Sequence, residues 1–257
     1  MAAAPSLLDR PPVHSAPDLY DTYFTCFRVC IAATPQEISQ AHGLRYQVYC
    51  AETGFLNPQD HPDQAERDAA DGHADQALLL HKPSGRTAGM VRLIRPDPAR
   101  ADAGLPARAI SRALRDLGDR LPLAQTGEIS RLLIAKEFRK RRADTLFGSL
   151  AEDDPDPAGR RIIPHIALGL MQAVFAMSLR HNLSHLCAVV DPRFLSLLTR
   201  LGATFQTAGP VVDFHGPRQP VWCEIGPFLE RFRHDRPDIW DIVTDRGALV
   251  ASTSPIG

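Results

Sequence analysis

The stretch from residue 127 to residue 182 restricts the fold of this chain more than any other feature. Residues 127–135 (GEISRLLIA) form an apolar, strand-like run, and an apolar helix pattern (PHIALGLMQAVFAMSLRHN) follows from Pro164 to Asn182. Proline is favoured in the first turn of a helix. A strand, a loop and a helix in this order form a unit of α/β domains, and such a helix N-terminus is a place where phosphate binds. The sequence therefore predicts an α/β fold.

Further elements surround this unit. Residues 20–32 are rich in aromatic and β-branched side chains, which predicts a first strand. Thr34, Pro35 and Glu37 form a capping-box pattern at the start of a helix that ends near Glu52. Other strands are predicted at 77–82 and 87–96 (as a hairpin), 183–191, 203–216 and 219–225, and other helices at 108–119, 192–202 and 227–246.

This order predicts one domain over residues 20–246, in which a central mixed, mostly antiparallel sheet is flanked by helices. Residues 1–19 are expected to form a flexible tail and residues 247–257 a C-terminal tail. The segment AEDDPDPAGRR at 151–161 is charged and interrupted by proline, so a mobile insertion is expected there.

Composition narrows the classes of function. The net charge is only -1, which argues against general affinity for nucleic acids. Five scattered cysteines lack metal-ligand spacing and favour reduced thiols in the cytoplasm, and the histidines form no metal motif. No apolar run has the length of a membrane span, and no signal peptide is recognisable. We therefore expect a cytoplasmic protein without a metal or any permanently bound cofactor.

Charged residues interrupt several apolar segments. Arg45 lies in a predicted helix, Arg92 in a predicted strand, and Glu128 and Arg131 in the strand-like run described above. An acidic loop carries Glu66, Asp68 and Asp71. Taken singly, a buried-looking arginine usually extends its charged group to water, and an acidic loop is usually solvated. For each of these residues considered alone, a solvated side chain without a role in function is the alternative explanation.

In their order along the chain, the four motifs resemble those of the acyl-homoserine-lactone synthases and their N-acyl amino acid synthase relatives, in the GCN5-related N-acetyltransferase-like (GNAT-like) superfamily. The motifs are Arg45-x-x-Val-Tyr, Glu66-x-Asp68-x-x-Asp71, Val-Arg92-Leu and Glu128-Ile-Ser-Arg131. The FRKRR run at 138–142 and GPVVDFHGPRQP at 209–220 most resemble the acyltransferases associated with PEP-CTERM/exosortase systems. The resemblance covers about residues 20–246.

The resemblance implies a single-domain GNAT-like (acyl-CoA N-acyltransferase) fold. It also implies an acyl-phosphopantetheine donor substrate, carried by acyl carrier protein or, as an alternative, by coenzyme A, and a small amine as acceptor. One departure concerns Ala70, because homoserine-lactone synthases typically carry an aromatic residue there. The aromatic residue that commonly follows the first helix appears only as Phe55. These differences favour an amino acid as acceptor over the formation of a lactone.

Acyl transfer from a thioester to an amine requires a deprotonated amine and a stabilised oxyanion. The acidic residues are candidates to bind the ammonium group and to help remove its proton, with Glu128 as a second candidate for the base. The arginines are candidates to hold a carboxylate of the acceptor or to orient the acids. The catalytic candidates are Glu128, Asp68, Asp71, Glu66 and Arg131, and the substrate-binding candidates are Arg45, Arg92 and Phe55. No nucleophile elbow is present in the sequence, so we expect direct transfer.

The donor is expected to meet two further groups of residues. A basic run suits the phosphate of phosphopantetheine and the acidic face of an acyl carrier protein, although it also fits a solvated helix start. Its candidates are Arg139, Lys140, Arg141 and Arg142. The helix at 164–182 has more apolar residues than one face needs, so some of them are expected to line an acyl pocket, the alternative being the core. The candidates for that pocket are Leu170, Val174 and Phe175.

The sequence leaves two alternatives for the function and gives one geometric prediction. The alternatives are a homoserine-lactone synthase that uses S-adenosylmethionine and a non-catalytic module that binds lipid or carrier protein. Glu128 and Arg131 are three positions apart and would face opposite sides of a regular strand. If both serve one site, a β-bulge must break the alternation of side chains.

Overall fold

The structure is a computed structural model that describes residues 18–97, 104–139 and 166–251. The helices are α1 (Leu19–Cys26), α2 (Pro35–Tyr46), α3 (Pro106–Ile110), α4 (Arg112–Arg115), α5 (Ile166–Arg180), α6 (Pro192–Arg200), α7 (Ile225–Asp235), α8 (Pro237–Thr244) and α9 (Ala248–Ala251). The strands are β1 (Phe27–Ile31), β2 (Ala74–His81), β3 (Arg86–Ile94), β4 (Thr126–Ile134), β5 (His185–Val190), β6 (Gln206–Thr207), β7 (Val212–Asp213) and β8 (Pro217–Glu224).

The strands form one sheet in the order β1-β2-β3-β4-β5-β8-β6, and the short strand β7 pairs with β8. Strands β4 and β5 are parallel, whereas every other neighbouring pair is antiparallel. The predicted mixed, mostly antiparallel sheet is thus confirmed. The hairpin of β2 and β3 is confirmed as well, and so is the capping box of α2, in which the hydroxyl of Thr34 accepts from the backbone N–H of Glu37.

Helices cover both faces of the sheet because side chains alternate along its strands. Leu78 of β2 packs with α2 in one apolar cluster, while its neighbours Ala77 and Leu79 pack with α5 in another. Close contact with α5 depends on Gly169, where a Cβ atom would lie 2.4 Å from the hydroxyl oxygen of Tyr23. That hydroxyl accepts from the Gly169 N–H at 2.9 Å, which fixes α1 against α5.

Three predicted elements are wrong in kind or extent. The strand predicted over 203–216 is reduced to the two-residue strands β6 and β7. Residues 20–26 form most of α1 rather than a strand, because Asp18 caps a helix whose Tyr20, Tyr23 and Phe24 lie on one face, toward α5 and α8. The predicted helix at 108–119 is instead two short helices, α3 and α4, separated at Ser111, whose hydroxyl caps α4. The insertion at 151–161 lies outside the described residues. Among those that are described, no helix is long and apolar enough to cross a membrane.

A cleft opens in the sheet between β4 and β5. The two strands pair only where Thr126–Glu128 run beside His185–Cys187. Beyond Glu128 they separate, and side chains of Ile129–Leu132 and of Ala188–Asp191 line a cavity between them. Because the strands are parallel, the cleft lies at the carboxyl end of both, where loops can add functional residues.

Candidate active site

A β-bulge in β4 places Arg131 at the site. Arg92 of β3 pairs with Ser130 and Met90 pairs with Leu133, so one residue of β3 faces two residues of β4. Arg131 has a φ of 48°, in the left-handed region that non-glycine residues rarely adopt. The extra residue turns Arg131 toward the acidic loop, and both Glu128 and Arg131 line the same cavity. The predicted bulge is confirmed, and it lies at Arg131 itself.

Three arginines and three acids form one network, of which Arg45, Glu66 and Arg92 are buried. Arg45 donates to Glu66 and, at 2.7 Å, to Asp71. Arg92 donates to Asp68 at 2.6 Å and to Asp71 at 2.8 Å. Arg131 donates at 2.9 Å to both Glu66 and Asp68. The network has no net charge, which is the condition under which ionised groups are tolerated away from water.

The arginines keep these acids ionised. Burial alone would raise the pKa of Glu66, but the guanidinium groups of Arg131 and Arg45 outweigh it and hold the pKa at about 2. The same balance between burial and arginine contacts lowers the pKa of Asp68 and of Asp71. A carboxylate with so low a pKa is a weak proton acceptor at neutral pH. Asp68 lines a cavity of about 280 Å³ beside the bulge, with 33% of its side chain exposed.

Glu128 differs from the other acids. It is 4% exposed, and one of its oxygens, Oε2, accepts from the backbone N–H of Ala107 at 2.7 Å. Burial raises the pKa of Glu128 to about 7, against the opposing effects of the Ala107 N–H and of the charges on Arg92 and Arg131. A carboxylate with a pKa near the working pH is suited to accept a proton and to release it again. Glu128 is therefore the acid of this site that can take up a proton near neutral pH.

The Ala107 N–H gives a way to change the pKa of Glu128 without altering Glu128 itself. Ala107 is the second residue of α3, where proline is tolerated because that N–H has no partner within the helix. The hydrogen bond from the Ala107 N–H stabilises the ionised form of Glu128. The variant Ala107→Pro lacks this bond, so the pKa of Glu128 rises. We expect the acidic limb of the pH–rate profile to move up by roughly one unit.

The control for this variant is Ala107→Gly, which keeps the N–H and should leave the acidic limb in place. A structural disturbance at α3 would lower the rate at every pH without moving the limb. An unmoved limb in Ala107→Pro, with activity retained, would contradict the assignment of Glu128 as the group that titrates.

Two adjoining cavities meet at the bulge. One, of about 140 Å³, lies in the cleft between β4 and β5 and is mostly apolar, with Met171, Val174 and Phe175 of α5 in its wall. The other, of about 280 Å³, contains the polar side chains of Asp68 and Glu128. Both cavities are lined by a shared set of residues, namely Tyr49, Phe55, Ile129, Ser130, Arg131, Val189 and Arg218. An apolar arm and a charged arm thus converge on Arg131.

The remaining predicted site residues take different places. Phe55 lies in the walls of both cavities and stacks on Tyr49, with 6.5 Å between ring centroids. Arg92 lines the polar cavity, whereas Arg45 is fully buried behind it. In the predicted acyl pocket, Val174 and Phe175 line the apolar cavity. Leu170 does not, because its side chain packs against Gly89 in the core, and Met171 lies in the cavity wall instead.

The basic run is described only in part. Arg139 forms an ion pair with Glu52, and its side chain is 9% exposed, so much of its charge is already matched within the chain. Lys136 is exposed. The other three candidates for binding the donor, Lys140, Arg141 and Arg142, lie outside the described residues.

Several residues that line the cavities are not among the predicted candidates, although the motifs quoted above contain Tyr49 and Ser130. Tyr49 follows α2 in a π-helical turn, Gln47–Glu52, and the guanidinium of Arg131 lies 5.5 Å from the centroid of its ring. Such turns are frequent at functional sites, but the helical spacing of the sequence gives no sign of one. Ser130 accepts from Arg92 at 2.9 Å. The segment at 209–220, which carries part of the resemblance described above, brings Phe214, His215 and Arg218 to the polar cavity.

Comparisons with known proteins agree with this architecture. Residues 44–149 match the model of an acetyltransferase (GNAT) domain. No curated protein sequence matches the chain. Among solved structures, that of TofI in a ternary complex with an inhibitor and MTA has 18% sequence identity and a TM-score of 0.56, covering 83% of this chain and 99% of TofI.

Two further structures are similar. FeeM, an N-acyl amino acid synthase from uncultured soil microbes, has 15% identity and a TM-score of 0.52, with 80% of this chain and 93% of FeeM covered. MesI, a CoA-dependent acyl-homoserine lactone synthase, has 17% identity and a TM-score of 0.53, with 80% of this chain and 94% of MesI covered. At such identities the likeness establishes the fold and leaves the substrates open.

The chain is thus a single GNAT-like α/β domain, as predicted. Residues 44–149 are similar to the acetyltransferase (GNAT) domain, and the fold is similar to those of FeeM and MesI.

Proposed function

We propose that this protein is an N-acyltransferase that moves a long-chain acyl group from an acyl carrier protein thioester directly to the amine of an amino acid or a similar small metabolite. The observation that carries the proposal is the position of Glu128. A buried carboxylate with a pKa of about 7 lines a polar cavity, and that cavity adjoins an apolar one at the bulge of β4. A base, an amine site and an acyl site are what direct transfer requires.

In the proposed mechanism, Asp68 binds the acceptor's ammonium group and Glu128 removes its proton. The neutral amine then attacks the thioester carbonyl and forms the C–N bond, the C–S bond breaks, and the leaving phosphopantetheine thiolate takes up the proton that the attacking nitrogen loses. Arg131 lines both cavities next to the reacting carbonyl, so its positive charge stabilises the oxyanion. Arg45, Glu66 and Asp71 do not line the cavities and act by holding Arg92, Arg131 and Asp68 in place.

The donor binds in the cleft between β4 and β5 with its acyl chain in the apolar cavity. Acyl carrier protein is proposed as the carrier because the run at 136–142 is basic and lacks the glycine-rich sequence with which coenzyme A-dependent acetyltransferases bind pyrophosphate. A place in the cytoplasm, and the association with a PEP-CTERM/exosortase system, are parts of the proposal that rest on the sequence.

A second candidate is a homoserine-lactone synthase that uses S-adenosylmethionine. It is favoured by the likeness of the fold to MesI, a CoA-dependent acyl-homoserine lactone synthase. Mass spectrometry of lipid extracts from cells that express the protein separates the two candidates. We expect an N-acyl amino acid, whereas an acyl lactone would support the second candidate instead.

The apolar cavity gives a prediction about acyl length. Val174 is 3% exposed and lies in the cavity wall. Val174→Phe adds bulk to that wall, so we expect the products to shift toward shorter acyl chains, with at least a tenfold lower kcat/KM for the longest chain that the wild type uses. This corresponds to about 1.4 kcal/mol, within the range for an overpacked site.

The matched control is Val211→Phe, which adds the same bulk at a position that is 49% exposed and is not part of either cavity wall. The chain-length preference of that variant should equal that of the wild type. An unchanged preference in Val174→Phe would show that the acyl chain binds elsewhere.

A further inference from the structure

Arg218 is a cavity-lining arginine that the proposed mechanism leaves without a role. It lies at the start of β8, far in sequence from the charged motifs, and it lines both the apolar and the polar cavity. In the polar cavity it shares the wall with Asp68 and Glu128, the two groups assigned to the amine. Its side chain is 16% exposed, so its charge is largely removed from water.

The guanidinium of Arg218 is held in place by the backbone. It donates to the carbonyl oxygen of Pro217 at 2.9 Å and to that of His215 at 3.0 Å. Both carbonyls belong to the hairpin of β7 and β8, whose tight turn contains His215 and Gly216 at φ values of 52° and 95°. A guanidinium fixed in this way binds an anion with little further loss of side-chain freedom.

Arg218 differs from Arg92 and Arg131, the other two arginines that line the polar cavity, in its distance from the nearest carboxylate. Arg92 and Arg131 each bind carboxylates of the chain within hydrogen-bond distance. Among the described residues, the carboxylate nearest to Arg218 is that of Asp191, at 3.8 Å, beyond the length of a hydrogen bond. Asp191 is itself engaged at the start of α6, where it accepts from the backbone N–H of Arg193 at 2.8 Å.

We propose that Arg218 recognises a carboxylate of the acceptor and so selects α-amino acids over simple amines; this inference rests on the proposed function. An α-amino acid carries its carboxylate one carbon away from its amine. A cation in the wall that also contains Asp68 and Glu128 is placed for that arrangement. The phosphate of the donor is a less suitable ligand, since the pantetheine arm separates it from the thioester by far more than the span of an amino acid.

The test compares each of the twenty proteinogenic L-amino acids with its primary amide as acceptor. Acyl transfer from an acyl carrier protein thioester is measured for the wild type and for Arg218→Gln and Arg218→Lys. We expect the wild type to prefer at least one acid over its amide by tenfold or more in kcat/KM. Arg218→Gln should abolish that preference, and Arg218→Lys, which keeps the charge but not the paired geometry, should restore part of it.

The ratio of acid to amide separates recognition from structure, because a loosened hairpin would slow both acceptors alike. Arg193→Gln serves as the matched control. It removes one charge beside Asp191 from a side chain that is 72% exposed and is not part of either cavity wall. That variant should retain the wild-type preference.

The outcomes distinguish this inference from the proposed function. Transfer to amines without any preference for the acid would overturn the role of Arg218 and leave the proposed function standing. A preference for the acid that survives in Arg218→Gln would also overturn the role of Arg218 and leave the proposed function standing. If Arg218→Gln raises only the KM for the donor, Arg218 binds the donor instead of the acceptor. Absence of transfer to every amine in the set would overturn the proposed function, and this inference with it.

Discussion

Replacing Glu128 with glutamine lowers kcat at pH 8 by about 10²–10⁴-fold, the range expected when a general base is removed. Glutamine has nearly the same shape and can still accept from the Ala107 N–H, but it cannot accept a proton. In the wild type, kcat rises with pH through about 7, because Glu128 must be ionised to act. The residual activity of Glu128→Gln should lack this limb. Steady-state kinetics between pH 5.5 and 9 check both results.

The free energy of unfolding of Glu128→Gln, measured as a function of pH, shows whether the variant still folds. The folded-state pKa of Glu128 lies above its ordinary value of 4.5, so the folded chain binds the proton more tightly than the unfolded chain. Stability therefore falls as pH rises from about 4.5 to about 7. Glu128→Gln has no group that ionises at this position, so its stability does not fall in this way. The variant should be more stable than the wild type at pH 8, by up to roughly 3 kcal/mol. Activity that persists in the folded variant would remove Glu128 from the mechanism.

The second large effect is expected at Arg45. This side chain is fully buried and donates to Glu66 and Asp71. Arg45→Met leaves both carboxylates without one of their cations, which costs about 3–5 kcal/mol at neutral pH when a buried ion pair is broken. Chemical denaturation gives the free energy of unfolding. We expect the difference from the wild type to shrink as the pH falls toward 2, because Glu66 then becomes protonated.

Arg112→Met is the matched control for the Arg45 variant. Arg112 pairs with Asp116 at the surface, and its side chain is 85% exposed. Loss of such a pair should change the free energy of unfolding by less than about 1 kcal/mol. Equal effects of the two variants would mean that the network around Arg45 adds little to stability.

Much of this fold follows from local signals in the sequence. The capping box at Thr34 and the turn between β2 and β3 mark boundaries by chemistry that acts within a few residues. The strand predicted over 20–26 is wrong because aromatic side chains suit a strand and an amphipathic helix alike. Contact of Tyr23 with α5, which lies more than 140 residues further along the chain, favours the helix.

Some residues of the candidate site are likewise marked by a local signal in the sequence, and others are not. Glu128 and Arg131 stand out because charged residues are unusual in an apolar strand, and their spacing predicts the bulge that the structure contains. Two other parts of the site have no local signal in the sequence. The partner of Glu128 is a backbone N–H at Ala107, which any residue except proline provides. Arg218 reaches the cavity through the pairing of β8 with β5, a contact that only the folded sheet defines.

The most direct test of the proposed function is product analysis with purified components. The protein is incubated with a long-chain acyl carrier protein thioester, or with the matching acyl-coenzyme A, together with the twenty L-amino acids and S-adenosylmethionine. The products are then identified by mass spectrometry. We predict an N-acyl amino acid, formed faster from the carrier protein than from coenzyme A and absent with Glu128→Gln. An acyl lactone as the sole product, or a thioester that remains unchanged, would contradict the proposed function.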